Sequence, residues 1–228
     1  MPLILICVLL FGAWFSYQYK HNVSKNDHKS EDFWKKEQEA NFTRRKSMDD
    51  INYITVGEDE LPECPENAGS EALRIHNEIA ELLKNPVADL SDYTNTELKL
   101  KYGAPNFDAL AAADNNFTAL VRKLTTYGTE LQKADCRDEL RRVYALARRI
   151  GAATSGLTLA AAESYALEGN QKAIEELIGN AEAEKPDSKL TEDLRRILTK
   201  CINGDSADTS DEVSEQISSL LNEIDPKN

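Results

Sequence analysis

Residues 124–147 read LTTYGTELQKADCRDELRRVYALA, and residues 158–181 read TLAAAESYALEGNQKAIEELIGNA. The second stretch starts 34 residues after the first, and laying one on the other decides the fold. Gly128 falls on Ala162, Leu131 on Tyr165, Tyr144 on Ile178 and Ala147 on Ala181. Within each stretch apolar residues recur at steps of three and four, as on one face of a helix. The spacing predicts a helix ending near Ala134 and a second over residues 137–150, stopped by Gly151. A third is expected over 155–168, with Gly169 in the turn that follows. A fourth is expected over 170–184, blocked by Pro186. Small residues at 128 and 162 belong where the two helices of a hairpin cross, because a large side chain there would hold the axes apart. Tyr144 and Tyr165 are expected to fill the gaps beside them.

One hairpin cannot bury both of its apolar faces, so about three units must stack. Working outward, Ala72, Ile75, Ile79 and Leu83 form one helical stripe that ends at Asn85-Pro86. Thr94 and Glu97 have the spacing of a capping box for a short helix that stops at Gly103. A longer run opens at Pro105-Asn106 and carries Phe107, Leu110, Phe117, Val121, Leu124 and Leu131. A break is expected at Asp114 to Asn116, since Asp and Asn favour local turns. Downstream, Leu190, Leu194, Ile197, Leu198 and Cys201 mark one helix, and Val213, Ile217, Leu220, Leu221 and Ile224 another. Burying one such Leu or Ile contributes ~1.5–3 kcal/mol.

This pattern resembles the tetratricopeptide repeat, a helix–turn–helix unit of the same length with the pattern W-x2-L-G-x2-Y, A-x3-F, P. Leu124 and Thr158 stand where that family has Trp, and Leu140 and Ile174 where it has the Ala that opens the second helix. The resemblance implies an all-α fold of tetratricopeptide-like antiparallel helix hairpins, an α-solenoid, in which the first helix of each unit lines a concave groove. Carried over, the partner-binding positions are Arg122, Thr125, Thr126 and Thr129 from one unit and Leu159, Glu163 and Ala166 from the next. The Lys and Asn of the carboxylate-clamp subtype are not at these places. A non-repeat α-helical bundle is the alternative reading of the same helices.

At the N-terminus, residues 2–19 carry no charged side chain. As a helix they would span roughly 27 Å, close to the ~30 Å of bilayer hydrocarbon. Trp14, Tyr17 and Tyr19 end the run, where amphipathic rings favour the interface. No Lys or Arg precedes it, no small-x-small cleavage site follows, and Ile6 before Cys7 does not suit lipidation. A transmembrane anchor over residues 1–19 is therefore expected. Lys20, Lys25 and Lys29 on one side only predict a single-pass cell-membrane protein with its body in the cytoplasm. Residues 20–69 read as juxtamembrane linker, charged helix and extended arm. The helix is sparse in apolar residues (Phe33, Trp34, Phe42) and ends in Arg44-Arg45-Lys46. The arm, Ile51 to Val56, is rich in strand formers with no partner strand nearby, and is expected to pack on the helical body. Pro62, Pro65 and Gly69 mark the boundary of a helical domain over 70–228.

Phe33-Trp34-x-x-Glu37-x-x-Ala40-Asn41, Arg44-Arg45-Lys46 and Tyr53-Ile54-x-Val56 are similar to the juxtamembrane region of small single-pass bacterial membrane proteins with helical-repeat bodies. Thr96-x-Leu98-Lys99-Leu100-Lys101-Tyr102-Gly103 and Asn116-Phe117-Thr118 resemble their central region. That likeness implies no activity and supplies no catalytic residue.

The net charge is -13, which repels phosphate backbones and argues against nucleic acid as a partner. Four cysteines and three histidines are scattered without metal-ligand spacing, so no metal or cofactor is expected. Cys136 and Cys201 are expected as buried thiols on apolar helix faces. Arg141, Arg142, Arg148 and Arg149 are expected to pair with the chain's own surplus carboxylates. There is no nucleotide loop and no nucleophile elbow, which argues against an enzyme and against a small-molecule substrate. The expected function is a membrane-tethered protein–protein interaction module, an adaptor or scaffold. The alternative is a permanent structural subunit of a membrane-associated complex, with the arm as an assembly strap.

Overall fold

The computed structural model describes residues 10–17, 31–57 and 59–204. Among these residues the protein is all-helical, with no β-strand. Residues 10–17 are helical and exposed. No helix among the described residues is long and apolar enough to cross a membrane. Of the anchor expected over 1–19, residues 1–9 and 18–19 lie outside the described residues. So do Lys20, Lys25 and Lys29 and the helix expected around Val213 to Ile224.

Eight helices carry the rest of the description: α1 (residues 31–42), α2 (Gly69–Leu82), α3 (Asn95–Tyr102), α4 (Phe107–Lys133), α5 (Arg137–Arg149), α6 (Ser155–Leu167), α7 (Gln171–Glu184) and α8 (Lys189–Asn203). Their starts follow their caps. The Thr94 hydroxyl accepts from the Glu97 amide at 3.3 Å while the Glu97 carboxylate accepts from the Thr94 amide at 2.8 Å, the reciprocal box expected there. Thr154, Asn170 and Ser188 each accept from a backbone N–H in the first turn of α6, α7 and α8. The break expected at Asp114 to Asn116 is absent, and α4 runs through it unbroken. Asn116 Nδ2 donates to the Pro86 carbonyl at 2.9 Å, so its side chain takes a tertiary partner instead of competing for its own backbone.

The chain forms two compact units, Met1–Ile51 with Leu90–Ala111, and Asn52–Asp89 with Ala112–Asn228. The boundary expected at residue 69 falls inside the second unit.

In the first unit, α1 is docked on α3. Glu37 accepts from Lys99 Nζ at 2.6 Å and from the Thr96 hydroxyl at 2.5 Å, and Lys99 also reaches Asn41 at 2.8 Å. The Lys99 ammonium holds the Glu37 carboxyl below its usual range. Phe33, Trp34 and Phe42 remain exposed. The chain after α1 lies along the end of α3, with the Lys46 amide on the Tyr102 carbonyl at 3.0 Å and the Ala104 amide on the Thr43 carbonyl at 3.1 Å. Only glycine suits position 103. Its φ is 92°, and a Cβ there would collide with the Arg44 carbonyl and lie 2.7 Å from Arg45 Cα. Buried Asn106 then ties the segment down, its Nδ2 donating to the Lys46 carbonyl at 2.9 Å and the Tyr102 carbonyl at 2.8 Å. Asn106→Ala should destabilise the chain by about 1–2 kcal/mol, because the Tyr102 carbonyl and the part-buried Lys46 carbonyl lose a buried donor. Faster hydrogen exchange at the Lys46 amide, measured alongside a urea melt, checks it.

The second unit holds the main apolar core, drawn from α2 and from α4 to α8. The arm packs on it as expected. The Ile54 amide donates to the Val87 carbonyl at 2.8 Å, and Ile54, Val56, Leu61 and Cys64 rest on the core. Helix α6 is the centre. Every residue from Gly156 to Ser164 is buried, which is how a helix looks when neighbours cover all its sides. α5, α7 and α8 each pack against it, and α7 packs against α8. α4 runs beside it: Thr125 meets Thr154, Gly128 meets Leu157 and Gln132 meets Glu163, in rising order along both helices. Gly128 is what lets this neighbour come close. A Cβ there would collide with Leu157 Cδ1 and sit 3.3 Å from Leu140 Cδ1.

Candidate functional site

The seven positions carried over from the repeat family do not form one open groove. Arg122 is exposed, and Thr126, Thr129 and Ala166 are partly buried. Thr125, Leu159 and Glu163 are buried, at 4%, 2% and 4% exposure. Thr126 and Thr129 bond back to carbonyls of their own helix. Thr126 donates to the Arg122 carbonyl at 3.0 Å and Thr129 to the Thr125 carbonyl at 3.1 Å. Thr125 meets Thr154 across α4 and α6 at 2.9 Å. On α6 the expected groove face is therefore covered, and this part of the expectation is corrected. The cause is side-chain size. Gly156 and Ala160, Ala161 and Ala162 let neighbouring helices approach α6 so closely that no face stays open.

Between α4 and α6 lies an unusual pair. Gln132 Nε2, on α4, donates to Glu163 Oε2, on α6, at 2.6 Å. The remaining oxygens, Gln132 Oε1 and Glu163 Oε1, are both buried and both without a hydrogen-bond partner. Burial pushes the Glu163 carboxyl up to about 7, against the opposing pull of the Gln132 hydrogen bond and of the Lys200 charge on α8. A carboxyl held near neutrality can take or release a proton under ordinary conditions. One proton on Glu163 makes the group neutral and turns one of its oxygens from an acceptor into a donor. The resemblance to the repeat family placed Glu163 in a groove, and neither that resemblance nor helical spacing registers what covers a face. The flanking run of Ala and Gly was the signal that could have found it.

The arginines of α5 behave as expected where they meet acid. Arg141 bridges Asp138 at 2.5 Å and Glu168 at 2.7 Å and lies over the Tyr165 ring. Arg149 pairs with Glu60, just beyond the arm, at 2.7 Å, and Arg148 faces Glu184 at 4.0 Å. That last pair lies beside a cavity of about 200 Å³ that also touches Tyr144, Ser155, Thr158 and Leu177. Cys136 is buried, but in the turn before α5 and not on a helix face; burial raises its thiol. Cys201 is buried on α8, with its thiol on the Ala166 carbonyl at 3.7 Å.

A second cavity, of about 350 Å³, opens between the arm and α2. Val56, Leu61, His76, Ala80 and Leu83 line it, with Glu63 and Lys84 among its polar residues. Among the described residues, no group of three or more His, Cys, Asp or Glu side chains is arranged to hold a metal ion. No protein-family model matches the chain, and no curated protein or solved structure matches it.

Proposed function

We propose that the chain is a membrane-tethered protein–protein interaction module with a tetratricopeptide-like body, held at the bilayer by the apolar segment at its N-terminus. The observation that carries the repeat reading is the close approach at Gly128, which touches Leu140 of its own hairpin and Leu157 of the next at once. Hairpins that share one crossing residue in this way are what a stacked array requires. The tether would confine the body to a surface and raise its effective concentration for partners held there.

The partner surface in this reading is the exposed side of α4, around Arg122, Thr126 and Thr129. Leu159 and Glu163 hold the stack together from inside. The arm is bonded to Val87, and Glu60 just beyond it pairs with Arg149; these contacts within the chain support the interaction module over an arm offered as an assembly strap.

The test is photo-crosslinking in cells. A crosslinking amino acid at Thr126 or Thr129 should give a discrete adduct of one size, and the same group at exposed Glu175 on α7 should not. Folded, expressed chain that yields no discrete adduct from either threonine would overturn the proposal.

A further inference from the structure

We infer that the cavity bordered by α5, α7 and the start of α6 binds a small organic phosphate, a monoester whose phosphoryl group sits among Tyr144, Arg148 and Ser155. This goes beyond the interaction module proposed above and does not rest on it.

Three observations carry the inference. The first is an unmet donor. Tyr144, on α5, lines the cavity and is 6% exposed. Its hydroxyl has no hydrogen-bond partner among the described residues, yet it is not sealed off as the Tyr127 hydroxyl is. The surface it keeps is turned to the cavity, where an acceptor on a ligand would complete it.

The second is convergent positive potential. Arg148 lies one turn on from Tyr144 along α5 and borders the same space. It faces Glu184 only at 4.0 Å and donates no hydrogen bond to another side chain among the described residues. Helix α6 opens at the cavity's edge with Ser155. Thr154 takes the Leu157 amide on its hydroxyl and the Thr158 amide on its carbonyl. The Ser155 and Gly156 amides and the Ser155 hydroxyl have no partner among the described residues. No acidic side chain stands in the first turn of α6 to offset the positive end of the helix. Two hydroxyls, two amides and a guanidinium exceed what the two oxygens of a carboxylate accept, and suit the three terminal oxygens of a phosphoryl group.

The third is room. About 200 Å³ is several times the ~30 Å³ share of one water, so the cavity holds a phosphoryl group and a small organic remainder. Leu177, Ala181 and Leu190 offer that remainder apolar contact. The opposing charge is Glu184. Its side chain is 75% exposed, so it can withdraw into water when an anion takes Arg148.

The experiment uses the full chain labelled with 15N in glycine. The Gly156 amide signal is followed at constant ionic strength while phenyl phosphate, inorganic phosphate or benzoate is added. Phenyl phosphate should give a saturable shift, inorganic phosphate the same shift with weaker binding, and benzoate should bind about tenfold more weakly than phenyl phosphate. Arg148→Ala should weaken phenyl phosphate about tenfold and Tyr144→Phe about fivefold, each by loss of a donor to a charged oxygen. Glu184→Gln should tighten it about twofold by removing the rival carboxylate. No saturable movement of Gly156 up to the solubility limit would overturn the proposal. So would benzoate binding as tightly as phenyl phosphate, or a folded Arg148→Ala chain that binds like the parent. A phosphoserine peptide that binds more tightly than phenyl phosphate would put the anion on a protein partner, and would overturn it too.

Discussion

Between about pH 4.5 and pH 8 the chain should lose about 3 kcal/mol of folding stability through Glu163 alone. The direction follows from burial. An exposed carboxyl of the unfolded chain titrates at its ordinary 4.5, whereas the native fold holds Glu163 protonated up to about 7. A pKa raised by folding stabilises fully below the unfolded value. That contribution is lost as the pH rises through the folded value. At ~1.4 kcal/mol per pKa unit, the gap gives the figure above. Above neutrality the native state must hold a carboxylate of which one oxygen has no partner. Glu163→Gln cannot ionise. Its urea midpoint should match the parent near pH 5 and exceed it clearly at pH 8. Two curves that stay parallel across that range would refute the assignment. Gln132→Leu gives an independent check. It removes the hydrogen bond that favours the ionised form, so the titration should move to higher pH. Glu37, Glu71, Glu78 and Glu97 act in the opposite sense. Their lowered pKa values contribute stability above the ordinary carboxyl value and lose it as the pH falls, outside the window in which Glu163 is read.

Gly128→Val should destabilise the chain by about 3 kcal/mol, the upper end of what overpacking a core costs. Two effects compete at this position. Any side chain improves on glycine inside a helix, by up to ~1 kcal/mol. Against that, the first added carbon collides with Leu157, which is 1% exposed, and presses on Leu140, which is also 1% exposed. Neither leucine has open space to turn into, so packing decides the sign, and valine adds two further methyls to the clash. For a domain of this size the melting temperature should fall by roughly 6–12 °C. Ala145→Val, on the exposed side of α5, should change it little. The cause is tested by a double-mutant cycle. Leu157→Ala empties the contested space, so Gly128→Val should cost much less in that background. Strict additivity would mean that Gly128 does not mark a close crossing.

Much of this architecture is legible in the sequence because its signals are local. Thr94 with Glu97, Gly103, Gly151, Gly169 and Pro186 sit at helix ends, and caps and breakers act within one turn. Stripes such as Ala72, Ile75 and Ile79 report a buried face through their spacing alone. The errors arise where a side chain found a distant partner. Asn116 does not break α4 because Pro86, thirty residues back, takes its amide. α1, too poor in apolar residues to build a core, is held instead by Lys99 and Thr96 through Glu37, and spacing along the chain does not show which helix supplies them.

The candidate site was less legible for the same reason. Periodicity says which residues share a face of α6, but not that every face is covered. The cavity under the arm leaves no mark in the sequence, since it depends on where residues 56–63 cross α2.

The sequence alone determined most of the helices, their order and many of their ends, because capping, helix breaking and apolar spacing are properties of neighbours along the chain. α4 runs through its expected break, and α1 ends at residue 42, before the expected Arg44-Arg45-Lys46. Only the tertiary structure decided that α6 lies at the centre, that Glu163 and Gln132 face each other away from water, and that Tyr144 and Arg148 border one cavity. Those are properties of neighbours in space, and burial, which sets both the proton affinity of Glu163 and the cost of an unpaired hydroxyl, exists only after the helices have packed.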